Sequence, residues 1–282
     1  APMLLLEMGR GEEAREAMNV ATRYMERGGA SSAGRAYSED YPHYPWLWLC
    51  WAATELHMED LAEKCFQGVC RYNHRLTESG LVKTPYVSAT DFEADFFATA
   101  MIAKVGLLRQ RTAIAQGAGD SLLRALQANR SNMRTRQRFN LRWRWESGFV
   151  EEVRRLHCVL QHGQGQLHFM LGFPALVLLE LSRAGFPCSQ AYREGAQELL
   201  NFLKGCKSLS DSPAAHVVAP AAVMVHDVDT AVLIADRLVS QQQRLGCFGK
   251  DDPEAWEVMD RSAETAFWLG QVDHQLARFT RL

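Results

Sequence analysis

The stretch His226-Asp227-Val228-Asp229-Thr230-Ala231, running on to Leu238-Val239-Ser240-Gln241-Gln242-Gln243-Arg244-Leu245-Gly246-Cys247-Phe248, decides how the rest of the chain is read. Two carboxylates stand two residues apart where an apolar helix begins. Acids at that end complement the unpaired N–H groups and the positive end of the helix dipole. The helix closes on a Gln-rich turn, a glycine and an aromatic. Chains that stack helices in pairs around a ring end their helices in this way.

Outward from this stretch, apolar residues recur at helical spacing in both directions. The pattern predicts helices over 12–26, 46–56, 58–73, 91–108, 121–129, 169–184, 189–206, 214–225, 227–243 and 253–271. Thr90 or Asp91 is the expected cap of the fourth, and Asp120 of the fifth. The segment 169–184 is apolar around most of its circumference, so burial on nearly all sides is expected. Gly185 and Pro187 stop it. Strand signals are confined to Tyr86-Val87 and Phe139-Asn140-Leu141. Short Gly, Pro, Asp and Ser turns join the helices, and no Pro- or Ser-rich linker divides the chain. A weak repeat links 121–127, 197–203 and 234–240. Repeated helical hairpins close into a ring or extend as a solenoid. The irregular spacing favours closure. The expectation is all-α: one domain over 1–282, an α/α toroid of five or six helical hairpins.

Composition narrows function by exclusion. The chain has 282 residues, 47% hydrophobic content and a formal net charge of −2. That balance gives no electrostatic reason to expect nucleic acid as a partner. The basic run Arg134 to Arg144 reads as a solvated or ion-paired face. No run approaches the roughly 20 apolar residues of a membrane span. The 7 cysteines have no disulfide spacing and sit mostly in apolar helices, as small hydrophobes do. A cytoplasmic location and a small-molecule substrate are expected, with the oligomeric state open. No Walker, dinucleotide-binding or nucleophile-elbow sequence occurs. His157-Cys158, His162 and His168 match no common zinc spacing, so neither metal nor cofactor is expected.

Two resemblances follow. Asp227-Val228-Asp229-Thr230-Ala231 is similar to the Asp-x-Asp-Asp-Thr-Ala motif of class II terpenoid cyclases, with Thr230 at the third aspartate. Gln243 to Phe248 resembles the Gln-to-Trp repeat of the same superfamily, with Phe248 at the tryptophan. Protein prenyltransferase subunits have similar helix ends. The resemblance implies Asp229 as a general acid protonating an alkene or epoxide and Asp227 as its support. It also implies a toroid. The alternative is that Asp227 is an N-cap and Asp229 a solvated first-turn residue.

The aromatic stretch Tyr41 to Trp51, with Tyr44 and Trp46, and the alternation Arg142-Trp143-Arg144-Trp145 resemble carbohydrate-active toroids. The six-hairpin glycosidases and sugar 2-epimerases set Trp, Tyr, Arg and His around a funnel. Aromatic faces stack on ligand rings, and Arg grips carboxylate or phosphate. Asp91 and Asp95 would share one helix face, opposite an acid from 227–229 or 260–264, since glycosidases need two carboxyls. His157, His168 and His216 are candidate acid–base or substrate-binding groups. Three functions are therefore open: an acid-initiated cyclase or isomerase acting through Asp229, a sugar-active hydrolase or isomerase, and a non-catalytic binding protein.

Overall fold

The computed structural model describes residues 2–26, 44–70, 93–144, 148–149, 158–245 and 255–279. These residues are predominantly helical. Their contacts divide the chain into two compact units, Ala1–Ala125 with Arg142–Val150, and Leu126–Leu141 with Glu151–Leu282.

In the first unit the helices are α1 (Pro2–Glu7), α2 (Gly11–Glu26), α3 (Tyr44–Glu55), α4 (Glu59–Cys70), α5 (Phe96–Leu108) and the start of α6 (Thr112–Thr135). Helix α5 is its core, since every residue from Phe96 to Gly106 is buried. Such a helix needs a defined start, and Asp95 supplies it from extended backbone. Its carboxylate accepts from Ala98 N at 2.9 Å, and Thr99 Oγ1 donates to its carbonyl at 2.7 Å. Strand β1 (Glu93–Asp95) precedes the cap and pairs antiparallel with β3 (Arg142–Arg144), which pairs in turn with β4 (Gly148–Phe149). The expected helix over 91–108 therefore begins at Phe96. Pairing with β3 holds 93–95 extended, and the apolar period resumes only after the cap.

The second unit contains β2 (Arg138–Asn140), β5 (Cys158–Leu160), α7 (Phe169–Arg183), α8 (Ser189–Lys204), α9 (Val218–Met224), α10 (Val228–Leu245) and α11 (Ala255–Phe279). Helix α7 is buried along almost its whole length, as its composition requires. Its companion α8 is amphipathic and buries Tyr192, Ala196, Leu199, Leu200 and Leu203, one stripe at helical spacing. Helix α9 comes so close to α7 that a Cβ on Gly172 would lie 2.8 Å from Val218 Cγ2. The expected helix over 214–225 is broken: Pro213–Ala215 forms a single 3₁₀ turn capped by the Ser212 hydroxyl, and α9 starts afresh at Val218. Strands β2 and β5 pair antiparallel. The Asn129 side chain locks β2 by accepting from Asn140 N at 2.8 Å and donating to Asn140 O at 3.0 Å. Asp120 lies inside α6, which already starts at Thr112, so it is not at the helix start where a cap is expected.

One corner recurs at Gly9, His57, Gln110 and His226, each with φ between 54° and 71°. The N–H of the next residue closes a six-residue ring onto the preceding helix: Arg10 N to Leu5 O, Met58 N to Ala53 O, Arg111 N to Gly106 O and Asp227 N to Ala222 O. The following helix begins directly afterwards. At three of these corners a side chain occupies left-handed backbone, a conformation that usually favours glycine.

Candidate functional site

In the second unit two loops, 161–168 and 207–216, run side by side in the same direction. Lys207 N donates to Gln161 O at 2.9 Å, and Ser208 Oγ donates to Gly163 O at 3.0 Å. Ser212 Oγ donates to Gln166 O at 3.3 Å. The sequence separation is 45 residues at the first serine bond and 46 at the second, so the loops keep step. Where they end, the Phe169 ring stacks on His216, with centroids 6.0 Å apart and planes inclined by 22°. His216 Nε2 lies 3.3 Å from Glu264 Oε1 on α11. Both side chains are mostly buried. One turn along α11 from Glu264 lies the buried Trp268, which packs edge-on against Phe267.

An imidazole facing a carboxylate in a shielded setting can pass a proton to or from a bound molecule while the carboxylate holds the ring and balances its charge. His168, at the start of α7, is fully buried, and neither ring nitrogen has a hydrogen-bond partner among the described residues. Burial without a counter-charge lowers its pKa to about 4, so it is neutral at pH 7. Burial likewise pushes the Cys206 thiol up to about 12, which suits a packing residue and not a nucleophile.

The first unit holds the aromatic candidates. Tyr44 meets Trp48 edge-on at 6.2 Å, and Trp48 stacks on Trp51 at 5.6 Å with planes 9° apart. Tyr44 also lies 6.0 Å from Phe97, and Lys104 Nζ sits 3.9 Å above the Trp51 ring. Tyr44 pairs with Phe97 and, seven residues on along both helices, Trp51 pairs with Lys104; α3 and α5 thus run parallel. A buried ammonium over an indole face is a cation–π contact in a shielded place. Trp46 does something else: its ring lies over Gly68 of α4, where a Cβ would approach within 2.6 Å, so it seals the α3–α4 hairpin. Asp95 is fully buried and Arg142 nearly so, with Arg142 Nε 3.6 Å from Asp95 Oδ2. They face each other in the β1–β3 register. Of the two expectations for the basic run, solvated or ion-paired, Arg142 meets the second: it is the buried ion-pair partner of a helix cap. The Trp143 backbone pairs with Ala94 on one side and Phe149 on the other. Asp91, Trp145 and His157 lie outside the described residues.

Asp227 and Asp229 occupy the corner between α9 and α10. Asp227 Oδ1 accepts from Thr230 N at 3.4 Å, and Oδ2 pairs with Lys204 Nζ at 2.7 Å. Burial alone would raise the Asp227 pKa, but the hydrogen bonds from Lys204 and Thr230 and the Lys204 charge outweigh it and hold the carboxyl below the ordinary aspartate value. Asp229 is exposed in the first turn of α10. Asp227 therefore lacks the environment that keeps a general acid protonated at neutral pH.

The structure thus brings His216 against Phe169 and Glu264 in the second unit, and in the first it pairs Asp95 with Arg142 and Tyr44 with Trp48 and Phe97. Lys104, an isolated charge in the apolar run Phe96–Leu108, is the functional candidate that periodicity alone passes over. Among the described residues no three His, Cys, Asp or Glu side chains converge as a metal site, and no helix is long and apolar enough to cross a membrane.

No protein-family model and no curated protein sequence matches the chain. Among solved structures it is similar to a protein described as "a possible member of GH105 family from Klebsiella pneumoniae subsp. pneumoniae MGH 78578". The TM-score is 0.54 at 13% identity, over 99% of this chain and 79% of that one. At that identity the likeness concerns the fold alone.

Proposed function

We propose that the chain is a carbohydrate-active enzyme on an α/α toroid of the six-hairpin glycosidase type, one domain over 1–282, carrying out acid–base chemistry on a sugar by hydrolysis or isomerisation. The observation that carries this reading is the fold likeness, along 99% of the chain, to a structure described as a possible member of the GH105 family. The His216–Glu264 contact supplies a group able to move a proton, and Glu264 falls in the stretch 260–264 expected to contribute an acid. The pair Tyr44–Trp48 supports it with aromatic rings of the kind that stack on sugar rings. His216 is assigned the proton transfer, with Glu264 orienting the ring and stabilising its charged form. The terpenoid-cyclase reading has less support, because Asp227 is engaged by Lys204 and Asp229 faces solvent.

The test is a turnover screen of the full chain against glycosides, uronides and free sugars, repeated with Glu264→Gln and His216→Asn. On any substrate turned over, each substitution should lower kcat by about 100-fold or more while circular dichroism stays that of the parent. Turnover of an alkene or epoxide substrate that is abolished by Asp229→Asn, with no sugar accepted, would replace this reading by the cyclase one.

A further inference from the structure

We propose that Gln166 is the positioning residue of the His216–Glu264 pair: its side chain folds the turn 160–166 on itself and so places the Gln166 carbonyl that receives Ser212, the residue that caps the turn leading to His216. The inference rests on the reading of that pair as the working group. Gln166 is buried, and both ends of its amide are engaged. Its Oε1 accepts from Leu160 N at 2.9 Å, and its Nε2 donates to Gln164 O at 3.2 Å. Its own carbonyl accepts from the Ser212 hydroxyl at 3.3 Å. That hydroxyl also accepts from Ala214 N at 3.2 Å, capping the 3₁₀ turn that delivers His216. The path from Gln166 to His216 is therefore one side-chain bond, one short capped turn and the Phe169 stack.

Gly163 makes room for this arrangement. A Cβ there would lie 2.5 Å from Gln166 Nε2 and 2.6 Å from its Cδ. The other end of the loop pair repeats the device. The Gln161 amide donates to Phe202 O at 2.9 Å and occupies the space that a Cβ on Gly205 would enter at 2.4 Å. A glutamine amide seated over a glycine at each end fixes the 161–166 segment, whose carbonyls receive Lys207, Ser208 and Ser212 of the other loop. Gln166 is the one next to the histidine.

The test follows the His216 ring by NMR in the full chain with ¹³C-labelled histidine, its signal assigned with His216→Asn. Glu264→Gln should lower the His216 titration midpoint by about one pH unit, because a facing anion favours the charged imidazole. Gln166→Ala and, independently, Gly163→Ala should each reproduce at least half of that fall. Leu199→Ala, a destabilising core change in α8, should leave the midpoint where it is. If Gln166→Ala does not fold, Gln166→Met takes its place, keeping the side-chain length while losing both amide bonds and adding no charge. A parental midpoint in both loop variants, or an equal fall in Leu199→Ala, overturns the positioning role. No turnover enters this measurement, so a chain inactive on every sugar would sink the proposed function and leave this result to stand or fall by itself.

Discussion

Lowering the pH should unfold the second unit through His168 in a way that one substitution removes. The ring is fully buried without a hydrogen bond among the described residues, and burial lowers its pKa from 6.5 to about 4. A histidine whose folded pKa is depressed takes its proton first in the unfolded chain. Its destabilising effect is therefore absent above pH 6.5, grows as the pH falls toward about 4, and is constant below that. Each pH unit inside the window removes about 1.4 kcal/mol, and the whole window about 3 kcal/mol. That is a large share of the stability of an ordinary domain, about 5–15 kcal/mol. The assay is urea denaturation of the parent and of His168→Leu at pH 7.5, 5.5 and 4.5, followed by tryptophan fluorescence. Other titrating groups act equally on both proteins and cancel in the difference. The parent should lose about 2–3 kcal/mol relative to the variant between pH 7.5 and 4.5. Parallel pH profiles for the two proteins would refute the argument, because they would mean that the imidazole is hydrated or paired in solution.

Replacing the left-handed residues of the corners, by His57→Gly, Gln110→Gly or His226→Gly, should stabilise the chain by about 0.5–1 kcal/mol each, measured as a rise in urea midpoint, because glycine relieves the backbone strain. Asp227→Ala should cost about 1 kcal/mol through loss of a cap and an ion pair, whereas Asp229→Asn should stay within about 0.5 kcal/mol; equal losses in the two would contradict their separate roles. The Asp227 contribution should be present above the ordinary aspartate pKa and fade as the pH falls through its lowered folded value, so Asp227→Ala and parent should converge in strong acid. Gly172→Ala should cost about 1–3 kcal/mol, since its Cβ would press on Val218, and a neutral outcome in thermal denaturation would show that α7 and α9 are less tightly apposed.

What could be read in advance follows a physical divide. Helices α7 and α8 are legible because burial writes itself into residue type at a fixed period, and both lie within two residues of their expected ends. The corners at His57, Gln110 and His226 are illegible for the converse reason. No glycine marks them, and the left-handed turn is imposed by the packing of the helices on either side. The stretch 93–95 misleads because acids beside aromatics suit both a first helical turn and a strand running into a cap; only its pairing with Arg142–Arg144, far along the chain, selects the strand. The site divides likewise. His168 and His216 can be named as chemically able groups from the sequence, but the placing of His216 beside Phe169 depends on the carbonyls of Gln161, Gly163 and Gln166 accepting from a loop some 45 residues away. Hydrogen bonds between loops leave no period to detect. The terpenoid-like run Asp227 to Ala231 is a real pattern with a structural cause: any helix entered from a tight corner gains from acids at that point.

The most direct measurement is a crystal structure of the full chain with the tightest-binding sugar from the screen. The account predicts a sugar oxygen within hydrogen-bond distance, about 3 Å, of His216 Nε2 or the Glu264 carboxylate, with the two side chains still facing each other. A sugar bound elsewhere, or His216 and Glu264 turned apart with no ligand between them, would contradict it.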